Sequence, residues 1–502
     1  MMDIFYGLAT VLTSLDTLGF VALGVVVGVL VGAMPGMSIA AVIALMVPMT
    51  LYMSPIAALS FLYVLGKSGR YGGSIAAILF NTPGTAAAAA TMNDGYPLTL
   101  QGRSKAALRM STAASAIGDF IGDMLLIFGA AYIASFTEKF GPAEFFAIYM
   151  MAFIVIGSVV SDSVAKGLIA AVFGVLVSLV GTDPISGYDR LTFGWLELSS
   201  GFSLIPLLVG IFVIAELFDQ VGKTYEPVVE GMGDGSDGGA ITREEWRLSL
   251  PVIFRSSILG SIIGILPGLG SAVACFAAYG EEKRRAKRPE LWGKGAIEGV
   301  AAPEAANNAV SGPSMIPLLA LGIPGSTVAA LLMGVFLIHG IQIGPTIFTT
   351  SRELVFQLFA AGLLGILGYF VLGYYLGPIF GKYITRLGNQ YIYPFIFATA
   401  LIAAYSSSMS FFDVYVMLAF GVIGYFMRRF GFPTSAFIIA FVLGRGAEES
   451  LRQAMLLSND GILVFLDHPV AMVFILIGLA VLTSRIVSSL RHRAGRRAPV
   501  NS

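Results

Sequence analysis

Two short segments of the chain combine helix-breaking residues with polar side chains inside apolar surroundings. They begin at residues 81 and 322, an offset of 241. Proline removes a backbone donor and glycine adopts angles that other residues avoid, so we predict a helix break at each segment. The residues assigned to substrate binding at these breaks are Asn81, Thr82, Pro83, Gly84, Thr85, Gly322, Pro324, Gly325, Ser326 and Thr327.

The chemistry expected at such a break is the binding of two oppositely charged ligands. Freed N–H groups at the start of the following helix attract an anion, and Thr85 can cap that helix. Freed carbonyls at the end of the preceding helix, with the side-chain oxygens of Asn81 and Thr82, suit a hard cation. We therefore predict a carboxylate site and a sodium site at each break.

A second pair of breaks precedes the first pair, at Pro35-Gly36 and Pro267-Gly268, an offset of 232 (35 to 267). A single Pro-Gly inside a membrane helix is usually only a kink. Four breaks in two repeated pairs favour binding instead, because unwound backbone at membrane depth is tolerated where it faces protein or a cavity. The residues assigned to ion coupling here are Pro35, Gly36, Ser38, Pro267, Gly268, Gly270 and Ser271.

Lys67 and Arg70 stand just before the first break, in an apolar stretch. Ionisable residues at membrane depth are costly and usually face a cavity or a partner. Arg70 suits a carboxylate because arginine binds it with two parallel hydrogen bonds. We assign both residues to substrate binding, while ordinary charges at the membrane interface are an equally weighted alternative.

Further polar residues inside apolar segments are assigned to ion coupling. Asp119 and Asp123 are four residues apart on one helical face and suit a proton or cation relay, unless they pair with Arg109 or a basic loop. Glu304, Asn307 and Asn308 precede the break at Gly322 and can supply oxygens there. A polar helix end is the alternative interpretation of that group.

The elements that carry these residues are membrane helices. The chain is 56% hydrophobic and 12% charged, with a mean hydropathy of +0.84. Apolar runs of about 20 residues, the length that crosses a bilayer, recur along it. We predict an all-α polytopic membrane protein with about twelve transmembrane segments. Shorter pieces predict re-entrant helical hairpins around 72–92 and 313–334, the first entered by a helix of two to three turns.

The offsets indicate two internal repeats, 1–219 and 251–490, joined by an acidic glycine-rich linker over 220–250. Basic residues follow the Asn81 break in the first half of the chain, whereas they precede the Gly322 break in the second half. This arrangement favours inverted repeats. The basic tail 491–502 carries no acid, so the C-terminus should be cytoplasmic.

Several function classes lack their residues. The chain contains no phosphate-binding loop, no serine nucleophile elbow and no His-Glu-x-x-His motif, so we do not expect an enzyme. Three histidines and one cysteine argue against a histidine or cysteine metal site. No cofactor is expected beyond a coupling ion, and no nucleic acid.

The motifs jointly resemble the large membrane subunit of the tripartite tricarboxylate transporters, the TctA family, over essentially the full length. The matching segments in the first half are Gly69-Arg70-Tyr71-Gly72-Gly73-Ser74-Ile75, Asn81-Thr82-Pro83-Gly84-Thr85 and Asp94-Gly95-Tyr96-Pro97-Leu98. Those in the second half are Gly264-Ile265-Leu266-Pro267-Gly268, Pro303-Glu304-Ala305-Ala306-Asn307-Asn308-Ala309, Leu321-Gly322-Ile323-Pro324-Gly325-Ser326 and His339-Gly340-Ile341-Gln342-Ile343-Gly344-Pro345. Ile343 departs from the pattern, in which a proline is expected.

The resemblance implies a secondary importer of small di- or tricarboxylates in a bacterial inner membrane, working by an elevator-like movement. It implies two partners, a small TctB-like membrane subunit and a periplasmic TctC-like solute-binding protein, and leaves a homodimer of the large subunit open. Sodium and protons both stay open as the coupling ion, as does the identity of the carboxylate. The alternatives are a non-transporting scaffold or sensor that docks a binding protein, and a passive organic-anion channel.

Overall fold

A computed structural model describes residues 2–34, 37–159, 163–183, 186–220, 240–384, 389–458 and 461–497. Three sequence predictions fall partly outside these ranges. They concern the break at Pro35 and Gly36, residues 221–239 of the linker and the last five residues of the basic tail.

The described chain is almost entirely helical, and the prediction of an all-α protein is confirmed. The first eight helices are α1 (Met2–Thr13), α2 (Leu15–Gly32), α3 (Ile39–Met46), α4 (Pro55–Phe80), α5 (Ala88–Leu100), α6 (Ser104–Thr137), α7 (Pro142–Val159) and α8 (Val164–Ser178). They are followed by α9 (Leu204–Leu208), α10 (Ala215–Gln220), α11 (Arg243–Ile265), α12 (Gly270–Arg285), α13 (Ile297–Ala309), α14 (Ile316–Leu321), α15 (Thr327–Ile338) and α16 (Ile347–Thr350). The C-terminal helices are α17 (Arg352–Ile384), α18 (Asn389–Ser408), α19 (Phe411–Arg429), α20 (Thr434–Leu456), α21 (Val464–Asp467) and α22 (Pro469–Arg497).

Non-α elements are short. Two antiparallel strands, β1 (Gly181–Thr182) and β2 (Asp189–Arg190), pair between α8 and α9. A 3-10 helix over Val47–Tyr52 continues α3, and a π-helix over Val209–Ile214 joins α9 to α10. The apolar segment after the Pro35-Gly36 break is therefore an eight-residue α-helix followed by a 3-10 helix.

Seven of the described helices are long and apolar enough to cross a membrane, which makes this a multi-pass membrane protein. They are Leu15–Gly32, Ser104–Thr137, Pro142–Val159, Arg243–Ile265, Arg352–Tyr375, Phe411–Arg429 and Pro469–Val487. Helices such as α4, α18 and α20 have spanning length but are less apolar. The count of about twelve segments stays a prediction.

The helix that enters the first break differs from the prediction of a two- to three-turn helix. α4 is a single helix of 26 residues that ends at Phe80. Its glycine-rich stretch between Gly66 and Gly73 looked like a break in sequence. It stays helical because neighbouring helices pack closely against it, and almost all of α4 from Ala57 to Ile78 is buried. The sequence stretch around Lys67 and Arg70 is therefore the middle of a buried helix.

Close packing of glycine-bearing helices holds α4 and α13 in place. A Cβ atom built on Gly28 of α2 would lie 2.6 Å from the Leu65 carbonyl oxygen of α4. A Cβ atom on Gly260 of α11 would lie 2.5 Å from the Ala306 carbonyl oxygen of α13. The two contacts are related by the offsets noted in the sequence, 232 (28 to 260) and 241 (65 to 306). Small residues permit this close approach in membranes.

The two halves of the chain are also interleaved. α6, which follows the Asn81 break in the chain, packs against α13. α17, which follows the Gly322 break, packs against α4. Gly122 of α6 lies against the Ala309 carbonyl, and Gly362 of α17 lies against the Tyr63 ring. The helices that carry the predicted site residues therefore form one packed group.

Candidate functional site

The breaks at Asn81 and Gly322 both adopt the geometry of a helix C-cap followed by a new helix. Asn81, after α4, has a left-handed backbone with φ 56°, and Gly322, after α14, has φ 72°. The Thr85 hydroxyl accepts a hydrogen bond from Ala88 N at 3.2 Å, and the Ser326 hydroxyl accepts one from Ala329 N at 3.1 Å. We call residues 81–85 the first tip and residues 322–327 the second tip.

The two tips lie close together because both contact α4. A Cβ atom on Gly73 would lie 2.9 Å from Cγ2 of Thr85, and one on Gly66 would lie 3.0 Å from Cγ1 of Val328, just after the second tip. Seven residues of helix span about 10 Å. The tips therefore reach α4 within two turns of each other, on either side of Lys67 and Arg70.

The break at Pro267-Gly268 contacts the second tip directly. Gly268 N donates to the Gly325 carbonyl at 3.3 Å, and Gly270 and Ser271 begin α12 beside it. In the first half, Gly84 lies against the Gly32 carbonyl at the end of α2. Ser38 is elsewhere, in an apolar cavity whose lining residues include neither tip.

Lys67 is held by two carboxylates inside the protein. Its Nζ lies 2.8 Å from Oδ1 of Asp119 and 2.7 Å from Oδ1 of Asp123, and all three side chains are at most 1% exposed. The hydroxyls of Tyr369 and Tyr63 donate to Asp119 and Asp123, each at 3.2 Å. Asp119 and Asp123 were assigned to a proton or cation relay, with pairing to Arg109 or a basic loop as the alternative, and they share Lys67 as a cation. We call these five residues the lysine cluster.

Arg70 has no such neutralising ion pair among the described residues. It is 8% exposed, and its Nη1 lacks a hydrogen-bond partner in the described part of the chain. Its guanidinium interacts electrostatically with Asp119 and with Cys275 of α12. A buried donor without a partner costs free energy, so this guanidinium is a candidate to receive an anion from outside the chain.

Unpartnered oxygens accompany Arg70. Asn307 of α13 donates through Nδ2 to the Arg70 carbonyl at 3.4 Å, which brings α13 beside α4. Oδ1 of Asn307, Oδ1 of Asn308, Oγ of Ser68 and Oγ1 of Thr82 have no hydrogen-bond partner among the described residues. Of these oxygens, that of Asn307 is on the side chain that contacts the Arg70 backbone, and it is therefore a candidate to bind a ligand beside Arg70.

Exposure distinguishes the two tips. Asn81 and Pro83 of the first tip are exposed, whereas the second tip is buried from Gly322 to Gly325. The first tip is therefore the more exposed of the two in the described conformation. No group of three or more His, Cys, Asp or Glu residues that could hold a metal occurs in the described ranges. A cation site here would consist of carbonyl and hydroxyl oxygens.

Sequence reasoning missed several buried polar groups. Glu304 was predicted to supply oxygens near the second tip, with a polar helix end as the alternative, and its hydroxyl partners were missed: it accepts hydrogen bonds from four hydroxyls on three other helices. Tyr63 and Tyr369 of the lysine cluster were missed as well. Tyr63 lies four residues before Lys67, a helical spacing that was available as a signal. Tyr369 carries none, since it reaches Asp119 from a distant helix.

Asp94 of α5 ties the first half to the loop before α13. Its Oδ1 accepts from the backbone N–H groups of Gly293, Gly295 and Ala296 at 2.8, 2.9 and 2.8 Å. Its Oδ2 accepts from the Tyr279 hydroxyl at 2.7 Å. Asp94 is fully buried, and these four donors satisfy its carboxylate without a cation.

One family model and two related proteins match the chain. A family model described as "Tripartite tricarboxylate transporter TctA family" matches residues 18–439. A protein of Agrobacterium vitis described as "Uncharacterized 52.8 kDa protein in TAR-I ttuC' 3'region" is 36% identical over 455 residues, 90% of each chain. A second protein of that organism, "Uncharacterized protein in TAR-II ttuC' 3'region", is 39% identical over 236 residues, 47% of this chain and 96% of its own. No solved structure matches the chain significantly.

Proposed function

Because this chain belongs to the tripartite tricarboxylate transporter TctA family, we propose that it is the subunit that carries a small di- or tricarboxylate across the bacterial inner membrane. Transport is driven by a sodium or proton gradient. The substrate lies between the two tips, beside Arg70 and the unpartnered oxygens of Asn307 and Asn308. A periplasmic TctC-like protein delivers the substrate, and a small TctB-like subunit accompanies this chain in the membrane.

The observation that carries this proposal is the state of the Arg70 side chain. An arginine at least nine-tenths buried, with Nη1 unpartnered among the described residues, can receive an anion from outside the chain. The lysine cluster is different, since Lys67 already lies between two carboxylates. We therefore assign the substrate carboxylate to Arg70 and leave Lys67 in a positioning role, which narrows the pair predicted from the sequence.

The paired contacts support two equivalent halves and a movement that exposes the site alternately to each side. Gly28 and Gly260 meet equivalent carbonyls at the two sequence offsets. Gly84 N donates to the Gly73 carbonyl, and Gly325 lies against the carbonyl of Ser314, again 241 residues further along (73 to 314). We propose that inverted repeats 1–219 and 251–490 place the tips from opposite sides, with the C-terminus cytoplasmic.

Uptake by the reconstituted complex tests the proposal. The chain is placed in liposomes with its small membrane subunit and its binding protein, and accumulation of ¹⁴C-citrate and ¹⁴C-tartrate is measured under sodium and pH gradients. We expect gradient-driven uptake that falls about 10- to 100-fold in Arg70→Gln, because a hydrogen bond to a charged group contributes about 1.5–3 kcal/mol. Arg247→Gln, at an exposed arginine, is the matched control and keeps the activity.

The alternatives give different results. A scaffold or sensor subunit would bind the loaded binding protein without any uptake in either gradient. A passive channel would equilibrate the carboxylate without saturation and without counterflow. Full uptake by Arg70→Gln would contradict the assignment of the substrate to that side chain.

A further inference from the structure

Glu304 is a fully buried acid on α13, one turn before Asn307 and Asn308. In the described part of the chain no salt bridge reaches it, although it lies in the same helical group as the lysine cluster. A buried carboxylate without a cation is costly at membrane depth and is usually functional. What surrounds it is a set of hydroxyl groups.

Four hydroxyls donate to the two oxygens of Glu304. Oε1 accepts from Ser74 of α4 at 2.5 Å and from Thr91 of α5. Oε2 accepts from Ser111 and Ser115 of α6 at 3.1 and 2.9 Å. We call these four residues the hydroxyl cage.

Such a cage accommodates both charge states of the acid. Four donors stabilise the ionised carboxylate, since hydrogen bonds to a charged group are the stronger kind. Each hydroxyl belongs to a helical residue and can turn its proton toward the carbonyl four residues earlier. A protonated Glu304 can then donate to a hydroxyl that it previously accepted from. A lysine or arginine in that place would instead hold the acid in its ionised form.

No charged group on the helices around Glu304 forms an ion pair with it in the described ranges. From α4, Tyr71 lies near Glu304 and Arg70 lies one turn before Ser74, and from α12 Cys275 lies near it. Asp94, one turn beyond Thr91 on α5, is satisfied by its own four donors. On α6 the nearest acid toward the lysine cluster is Asp119, which is paired with Lys67. On α11, Arg255 is paired with Glu282.

The position of the cage links Glu304 to the substrate site. Ser74 lies one turn after Arg70 on α4, and Thr91 lies on the helix that follows the first tip. Ser111 and Ser115 lie on α6, which packs against α13. The cage therefore joins the helix of Arg70 and the helix after the first tip to α6 and α13.

We propose that Glu304 binds the coupling proton of this transporter, in a cage whose donors come from α4, α5 and α6. The inference rests on the proposed function as a carboxylate importer and names one of its coupling ions. With the cage complete, Glu304 is ionised. When the cage hydroxyls turn their protons toward backbone carbonyls of their own helices, the carboxylate takes up a proton. Glu304 releases that proton when the cage forms again.

Exchange and accumulation by the reconstituted complex separate proton coupling from substrate binding. Glu304→Gln is compared with the wild type for ¹⁴C-citrate and ¹⁴C-tartrate counterflow without a gradient, and for uptake driven by an acidic exterior. We expect Glu304→Gln to retain counterflow and to lose pH-driven accumulation at least 10-fold. Glu298→Gln, two turns earlier on the same helix and outside the cage, is the matched control and keeps both activities.

Two outcomes overturn the proposal. One is pH-driven accumulation by Glu304→Gln at the wild-type level, and the other is a wild-type complex that shows counterflow but no response to a pH gradient. In the second case the proposed carboxylate transport stands and the coupling ion is not a proton. A wild-type complex without counterflow would instead overturn the proposed function, and with it the coupling role of Glu304.

A second pair of variants covers the case in which Glu304→Gln does not assemble. Thr91→Val and Ser115→Ala keep the carboxylate and remove one donor each. We expect the pH midpoint of uptake to move upward in both, because the ionised form loses a hydrogen bond. Infrared spectra of the purified chain should show the protonated-carboxyl band titrating over the same pH range. An unchanged midpoint and band in both variants would overturn the proposal.

Discussion

The lysine cluster and the hydroxyl cage are two buried acidic sites on neighbouring helices, and their charge is balanced in different ways. Asp119 and Asp123 share the Lys67 ammonium at 2.8 and 2.7 Å. Glu304 has only hydroxyl donors. One ammonium balances only one of the two carboxylates, and removal of Lys67 would leave both of them buried and unpaired. The hydroxyl cage offers its acid neutral donors and no cation. The comparison separates acids that share a buried cation from an acid that has only neutral donors.

The largest effect is expected from removing the cation of the lysine cluster. Lys67→Met leaves two carboxylates buried without a partner, which costs about 3–5 kcal/mol of stability. Glu304→Gln removes a charge whose neighbours can reorient, so its loss should be smaller, about 1–3 kcal/mol. Thermal and denaturant unfolding of the purified chain in detergent measures both.

An exposed ion pair is the control for that comparison. Arg352 and Asp3 form a salt bridge at 2.8 Å in which the side chains are 61% and 38% exposed. Arg352→Gln should change stability by only about 0–1 kcal/mol. Equal losses for Lys67→Met and Glu304→Gln would mean that the two acidic sites do not differ in the way described.

A smaller effect than that of Lys67→Met is expected from the glycines that pack closely against α4 and α13. Gly28→Ala would press α2 against α4, the helix of Lys67, and Gly260→Ala would press α11 against α13, the helix of Glu304. Each should lose about 1–3 kcal/mol, the cost of overpacking. In proteoliposomes that take up carboxylate, only Gly260→Ala should also change the pH dependence of uptake. Gly19→Ala has no atom within 4 Å of the new Cβ and is the control.

The sequence predicted the helical membrane class, the four breaks and the polar residues around them, because these depend on composition and on proline and glycine. It could not predict that α4 is continuous through Gly66 to Gly73. That depends on carbonyl contacts with α2 that only packing reveals. The break at Pro35 and Gly36 lies outside the described residues and stays a prediction.

The sequence predicted which residues belong to the candidate site, but not which of their side chains pair with each other. Lys67 and Arg70 are three residues apart and looked alike, yet one is paired with two acids and the other has an unpartnered nitrogen. Their difference comes from α6, which brings Asp119 and Asp123 to Lys67. Contacts between residues more than 50 apart have no local sequence signal.

The smallest effects should come from single donors. Tyr369→Phe removes one hydrogen bond from Asp119, and Ser115→Ala removes one from Glu304. Each should cost about 0.5–1.5 kcal/mol of stability in the same unfolding assay. Tyr375→Phe, at a side chain that is 67% exposed, should stay within about 0.5 kcal/mol. A loss for Tyr369→Phe as large as that for Lys67→Met would show that the tyrosine, and not the lysine, stabilises the cluster.

Thermal stabilisation of the purified chain by carboxylates tests the central claim most directly, which is that an anion from outside the chain binds at Arg70. Citrate, tartrate and a non-carboxylate anion such as chloride are each added to the wild type and to Arg70→Gln. The account predicts a concentration-dependent rise in Tm for the wild type with at least one carboxylate, and no rise for Arg70→Gln. An equal rise in both proteins would contradict it.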